Sequence, residues 1–126
     1  MALCCLIVDD NQWFLEAARV LLERQGLTVA GVASTGAEAL RLAMTLHPAV
    51  VLVDIFLGAE SGLDLARRLI GELGDHVTVI LISTRGEEEV HDLIAAGPTI
   101  EFLPKSELSA DAIRRIVDGA SGTRGK

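Results

Sequence analysis

Aromatic residues are scarce in this chain, with one Trp, three Phe and no Tyr in 126 residues. The interior must therefore be built from Leu, Ile, Val and Ala. Basic residues are also in short supply: Lys and Arg total 11 against 18 Asp and Glu, for a net charge of −7. Affinity for nucleic acid comes mainly from neutralising phosphates, so this balance argues against direct DNA or RNA binding by this domain. The two cysteines, Cys4 and Cys5, are neighbours. Adjacent residues on a strand point to opposite faces, which argues against a mutual disulfide and for two buried thiols. No CxxC pattern or His/Cys cluster gives a zinc signature. Long hydrophobic runs are missing too. The first apolar stretch has no basic segment ahead of it and is broken at Asp9-Asp10-Asn11. It reads as neither a signal peptide nor a membrane span, so a cytoplasmic location and no membrane partner are expected.

What the chain does have is aliphatic bulk. Half of its residues are hydrophobic, enough for one ordinary domain to bury a core without disulfides or metals. Apolar runs alternate with segments of helical period. Strands are expected at 3–9, 27–33, 49–54, 77–83 and 100–104. Helices are expected at 12–25, from Thr35 to the residue before Pro48, from a loop through Gly58 and Gly62 to about Leu73, at 87–96 and at 110–119. Gly26 stops the first helix, and its stripe carries Phe14, Ala18, Leu21, Leu22 and Gln25. Thr35 with Glu38, and Ser61 with Asp64, stand at capping-box spacing. Gly97-Pro98 closes the fourth helix. Five βα units in succession imply an α/β fold with right-handed crossovers and a parallel sheet. At this size the flavodoxin-like, doubly wound (βα)5 order 2-1-3-4-5 is expected. Residues 1–120 read as the domain, and 121–126 as a flexible tail or the start of a linker.

Chemistry gathers at the strand ends. Asp9 and Asp10 follow Leu6-Ile7-Val8, and Asp54 ends Val50-Val51-Leu52-Val53. Ligands of such sheets bind beyond the carboxyl ends of the strands, where three acids would share one crevice. Like charges disfavour one another's ionisation, and oxygen-only ligands with room for water and phosphate suit Mg²⁺. Ser83, with Thr84, and Lys105 end the next two strands. An acidic pair, a central carboxylate, a hydroxyl and an ammonium match phosphoryl transfer to a carboxylate. Asp54 would be the nucleophile, Ser83 a hydrogen-bond donor and Lys105 the neutralising charge. Each residue alone has a plainer role: Asp10 or Asn11 as a helix cap, Ser83 as a turn residue, Lys105 as a surface charge. Four complementary strand ends together favour the joint reading.

These residues resemble the receiver domain of bacterial two-component response regulators. The matching stretches are Ile7-Val8-Asp9-Asp10-Asn11, Val53-Asp54-Ile55 with Gly62 downstream, Ile80-Leu81-Ile82-Ser83 and Phe102-Leu103-Pro104-Lys105. The resemblance implies that Asp54 takes a phosphoryl group from a sensor histidine kinase or phosphotransfer protein. It implies Mg²⁺ on Asp10 directly, on Asp9 largely through water, on Asp54 and on the Phe56 backbone carbonyl. Ser83, Thr84 and Lys105 would bind the phosphoryl group. Ser83 and Phe102 would switch the face formed by the fourth helix, fifth strand and fifth helix, with phosphorylation-dependent homodimerisation as one output. Such a domain is no enzyme for an external substrate; at most it phosphorylates itself from small donors and dephosphorylates itself.

Several positions depart from the family pattern. Leu57-Gly58 replaces a common Met-Pro, so a looser loop is expected there. Ser106 follows Lys105 where a cis proline is frequent, so a trans peptide and a shifted loop are expected. Gly97 to Glu101 is one residue longer than usual, Thr84 replaces a smaller residue, and Phe56 and Arg85 stand where hydrolysis of the acyl phosphate is tuned. Trp13 reads as a half-buried helix-start aromatic. His47, His76 and His91 read as surface histidines, and Glu87-Glu88-Glu89 as a solvated first turn. Two rival functions are an interaction module that no longer cycles phosphate and the N-terminal piece of a longer DNA-binding regulator. A third, an Mg²⁺-dependent phosphohydrolase, is disfavoured because Phe56 stands where its second Asp belongs and there is no room for a cap domain.

Overall fold

Cys5, Leu6, Ile7 and Val8 are fully buried, as are Val50 to Val53 and Ile80 and Ile82. Strands apolar on both faces are stable only inside a covered parallel sheet. A computed structural model describes residues 3–74, 77–84 and 100–124. Its central strands are β1 (Cys4–Val8), β2 (Thr28–Ala33), β3 (Val50–Asp54), β6 (Thr78–Ser83) and β7 (Glu101–Pro104). They pair in the order β2-β1-β3-β6-β7, all parallel. This is the 2-1-3-4-5 order of the flavodoxin-like fold, with the smaller strands β4 (Phe56–Leu57) and β5 (Glu60–Ser61) set apart from the sheet.

Alternation along each strand divides the core in two. Leu6, Val8, Val51, Val53, Val79 and Leu81 pack with Ala39 and Ala43 of α2 (Gly36–Leu46) and with Leu65, Ala66 and Leu69 of α3 (Gly62–Leu73). Ile7, Leu52, Ile80 and Ile82 face the other way. They meet Leu15, Ala18 and Leu22 of α1 (Gln12–Arg24) and Ala110 and Ile113 of the last helix (Ala110–Arg124). The buried residues of α1 are thus Leu15, Ala18 and Leu22: Ala18 and Leu22 are as expected, Phe14 is half-buried against the same core, and Leu15 takes the place expected for Leu21. Leu21 is 37% exposed. Cys5 is a buried free thiol and Cys4 a half-buried one. Burial pushes the Cys5 thiol up to about 11.

The caps fall where their residue types demand. Asn11 Oδ1 accepts from the Trp13 and Phe14 N–H groups, Thr35 Oγ1 from Glu38 N–H, and Ser61 Oγ from Asp64 N–H. Asn11, not Asp10, is therefore the first cap, which leaves Asp10 free of that duty. The segment after Asp54 is not a loose loop. Phe56 pairs with Ser61 and Leu57 with Glu60 in a two-residue hairpin, and Gly58 supplies the positive φ (59°) that the turn needs. The Lys105–Ser106 peptide is trans, as expected, and Lys105–Glu107 forms a single 3₁₀ turn. The last helix extends to Arg124, beyond Gly119 where its apolar period ends. Glycines inside a helix cost only about 1 kcal/mol each, and no proline stops it there. The expected helix at 87–96, with Arg85, Glu87-Glu88-Glu89, His91, Gly97-Pro98 and also His76, lies outside the described residues.

Candidate functional site

The parallel order brings the ends of β1, β3, β6 and β7 to one edge. Asp9 follows β1, Asp54 closes β3, Ser83 closes β6, and Lys105 follows β7. Carboxylate oxygens of Asp9, Asp10 and Asp54 all lie within 4.8 Å of one another. Asp9 is fully buried and Asp54 is 7% exposed, while Asp10 is at the surface. Lys105 Nζ approaches Asp9 Oδ2 at 2.5 Å and Asp54 Oδ2 at 3.7 Å. The remaining oxygens are held by backbone. Asp9 Oδ1 accepts from Asn11 N–H at 2.8 Å, and Asp54 Oδ1 from Phe56 N–H at 3.3 Å.

Charge does not balance in this crevice. Among the described residues three carboxylates face one ammonium, which pairs with buried Asp9 Oδ2 and stands farther from Asp54. Burial raises the Asp54 carboxyl to about 6 from 3.8. The Asp9 charge pushes the same way, opposed by Lys105 and the Phe56 N–H, with Asp10 adding a smaller upward push. An all-oxygen donor set of three clustered carboxylates with surplus negative charge fits a hard divalent cation such as Mg²⁺. Lys105 competes with such a cation for Asp9. Lys105→Met is expected to bind Mg²⁺ about tenfold more tightly than the wild type by titration calorimetry, since it loses a positive charge from the site. Equal or weaker binding would show that the ammonium does not compete.

Ser83 is buried at the end of β6, one residue past Ile82, whose carbonyl accepts from Ile55 N–H. Thr84 is exposed, and Phe56 presents its side chain to solvent at 46%. Phe102 is half-buried against the core face that α2 and α3 cover. Trp13 is not half-buried but 88% exposed, because α1 turns its 13, 17, 20 and 24 positions outward. His47 is an exposed C-cap at φ 49°. Two contributors went unnoticed in the sequence. Gly58 brings the hairpin turn against Asp10, where an added Cβ would lie 3.3 Å from Asp10 Oδ2. The Phe14 ring lies beneath the Lys105 ammonium.

A family model for the response regulator receiver domain matches residues 5–118. The chain belongs to the receiver family. It is similar to the transcriptional regulatory protein LiaR of Bacillus subtilis, 32% identical over 117 residues that cover 90% of this chain and 56% of that protein. It is also similar to a protein-glutamate methylesterase/protein-glutamine glutaminase of Methanosarcina mazei, 32% identical over 110 residues, which cover 84% of this chain and 30% of that one. The receiver thus spans about half or less of these relatives. Among solved structures, the signal receiver domain of a modulated diguanylate cyclase from Desulfovibrio desulfuricans G20 superposes with TM-score 0.79 at 31% identity. The match covers 99% of this chain and 98% of that one. The acidic pocket of Asp9, Asp10 and Asp54 with Lys105 is the receiver's characteristic site. Among the described residues, no helix is long and apolar enough to cross a membrane.

Proposed function

We propose that this receiver accepts a phosphoryl group on Asp54 from the phosphohistidine of a sensor histidine kinase or phosphotransfer protein. The placement of Asp54 carries the reading, since its Oδ2 faces Lys105 beside two further carboxylates. In the transfer, the P–N bond of phosphohistidine breaks and a P–O bond to an Asp54 oxygen forms. The histidine leaves as neutral imidazole once solvent has adjusted its proton. Asp9, Asp10, Asp54 and the Phe56 backbone carbonyl would hold Mg²⁺, which when bound supplies charge neutralisation to the crowded oxygens. Lys105 would pair with the phosphoryl charge, and Ser83, assisted by Thr84, would donate a hydrogen bond to it.

The adduct adds a charge of roughly −1.5 to −2 where surplus negative charge already sits. Ser83 would move toward it and Phe102 would repack, altering the surface around β7 and the last helix for partner binding or homodimerisation. The domain itself, residues 1–120, is a phosphoacceptor switch of the cytoplasm. LiaR is named a transcriptional regulatory protein, which favours a transcriptional output, with the receiver making no nucleic-acid contact of its own. The test is intact mass after incubation with acetyl phosphate, with Mg²⁺ or with chelator, in the wild type and in Asp54→Ala. One Mg²⁺-dependent phosphoryl adduct, absent from Asp54→Ala, is expected. A folded wild type that takes up nothing would make the chain an interaction module that no longer cycles phosphate.

A further inference from the structure

Among the described residues three groups lie against the Lys105 ammonium: Asp9 Oδ2 at 2.5 Å, Asp54 Oδ2 at 3.7 Å and the Phe14 ring, whose centroid is 4.2 Å away. The Lys105 side chain is only 13% exposed. At that distance the cation lies within range of the ring quadrupole, and partial desolvation strengthens the attraction. Phe14 is itself well fixed. It packs against the core cluster that contains Leu15, Leu22 and Ile82, and its N–H donates to the Asn11 cap at 3.2 Å. The cap that follows the acidic pair therefore also sets where the ring stands. Beyond Lys105, Ser106 and Glu107 are exposed.

Of the three neighbours, two are carboxylates that a divalent cation or a phosphoryl group would also engage. The ring is the neighbour for which neither competes. We infer that Phe14 is a positioning residue, whose ring face holds the Lys105 ammonium within reach of Asp54 whatever the acids are bound to. Its effect on phosphorylation rests on the receiver reading; the contact itself does not.

The test is a double-mutant cycle by urea unfolding on Phe14→Leu, Lys105→Met and the double variant, with no phosphodonor present. Leucine keeps apolar bulk and removes the aromatic face. Phe14→Leu should lower the folded-to-unfolded ratio more with Lys105 present than with Lys105→Met, by an excess of roughly 3–10-fold. Phe14→Tyr, which keeps the face, should abolish most of that excess. Labelling by acetyl phosphate should slow roughly 3–10-fold in Phe14→Leu, with no further slowing on top of Lys105→Met. Equal losses in both backgrounds would reduce Phe14 to ordinary packing and overturn the inference. A stability excess in a wild type that takes up no phosphoryl group would uphold the contact and sink the phosphoacceptor reading instead. If Phe14→Leu does not fold, the wild-type NMR spectrum decides. Lys105 ε-methylene protons shifted upfield by the ring support the contact, and unshifted ones overturn it.

Discussion

Gly62→Ala is expected to lose about 4 kcal/mol of stability or more, and with it the placement of Asp54. Gly62 opens α3 directly against the end of β3. A Cβ there would lie 1.9 Å from the Asp54 carbonyl oxygen, 2.7 Å from its carbonyl carbon and 2.8 Å from Ile55 Cα. All three are backbone atoms, so no rotamer change relieves the clash. Gly62 N–H also donates to the Ile55 carbonyl at 2.8 Å, and a displaced helix start would lose that bond. The requirement is for space, since Gly62 is not among the positive-φ glycines. Gly71→Ala is the internal control. It lies in the same helix with nothing within 4 Å of an added Cβ, and should stabilise by roughly 0.5–1 kcal/mol. Urea midpoints of the two variants check both statements. A Gly62→Ala protein within about 1 kcal/mol of the wild type would mean that β3 and α3 separate easily, contrary to the packing described above.

That glycine shows how far sequence alone reached. Gly62 was visible as part of a motif, yet what it contacts depends on the β4–β5 hairpin bringing α3 back onto β3. Continuous aliphatic runs were sufficient for the five sheet strands, because a strand buried on both faces admits little else. The acids and Lys105 followed from strand order, since each ends a strand. Helix faces were harder. One residue is about 100° of helix, so a stripe that was right at Ala18 and Leu22 still took Leu21 for Leu15, and Trp13, expected half-buried, is exposed. The hairpin was hidden because Leu57-Gly58 argued for a looser loop, whereas Gly58 is what permits the turn. Contacts between distant segments left no local trace. The Glu60 carboxylate accepts from Gly36 N–H at 2.9 Å, and Gln25 Oε1 from Ala110 N–H at 2.7 Å.

Asp54→Asn is expected to make the cation-free domain more stable near neutral pH, by about 1–3 kcal/mol. Burial, then the Asp9 charge, hold the Asp54 carboxyl at about 6, above its ordinary 3.8. The folded state therefore binds this proton more tightly than the unfolded chain does. The resulting stability is fully present below about pH 4, falls as pH rises through about 6 and is gone above that. Near neutral pH the wild type folds with an ionised, crowded carboxylate, and asparagine removes that charge while keeping an oxygen for the Phe56 N–H. The downward slope of stability between about pH 4 and 6 should flatten accordingly in the variant. Mg²⁺ reverses the comparison. At about 100 times its Kd it should add ~2.7 kcal/mol to the wild type, and less to Asp54→Asn, which has lost a charged ligand. Urea unfolding near pH 5 and pH 7.5, with chelator and with Mg²⁺, reads all four corners. An asparagine variant less stable than the wild type in chelator near pH 7.5 would remove crowding as the source of the shift. If the expected order holds, the charge imbalance that weakens the crevice in chelator is the same one that favours a divalent cation. A phosphoryl group then restores negative charge beside Ser83 and Lys105, where a change in charge can be passed on to the surface.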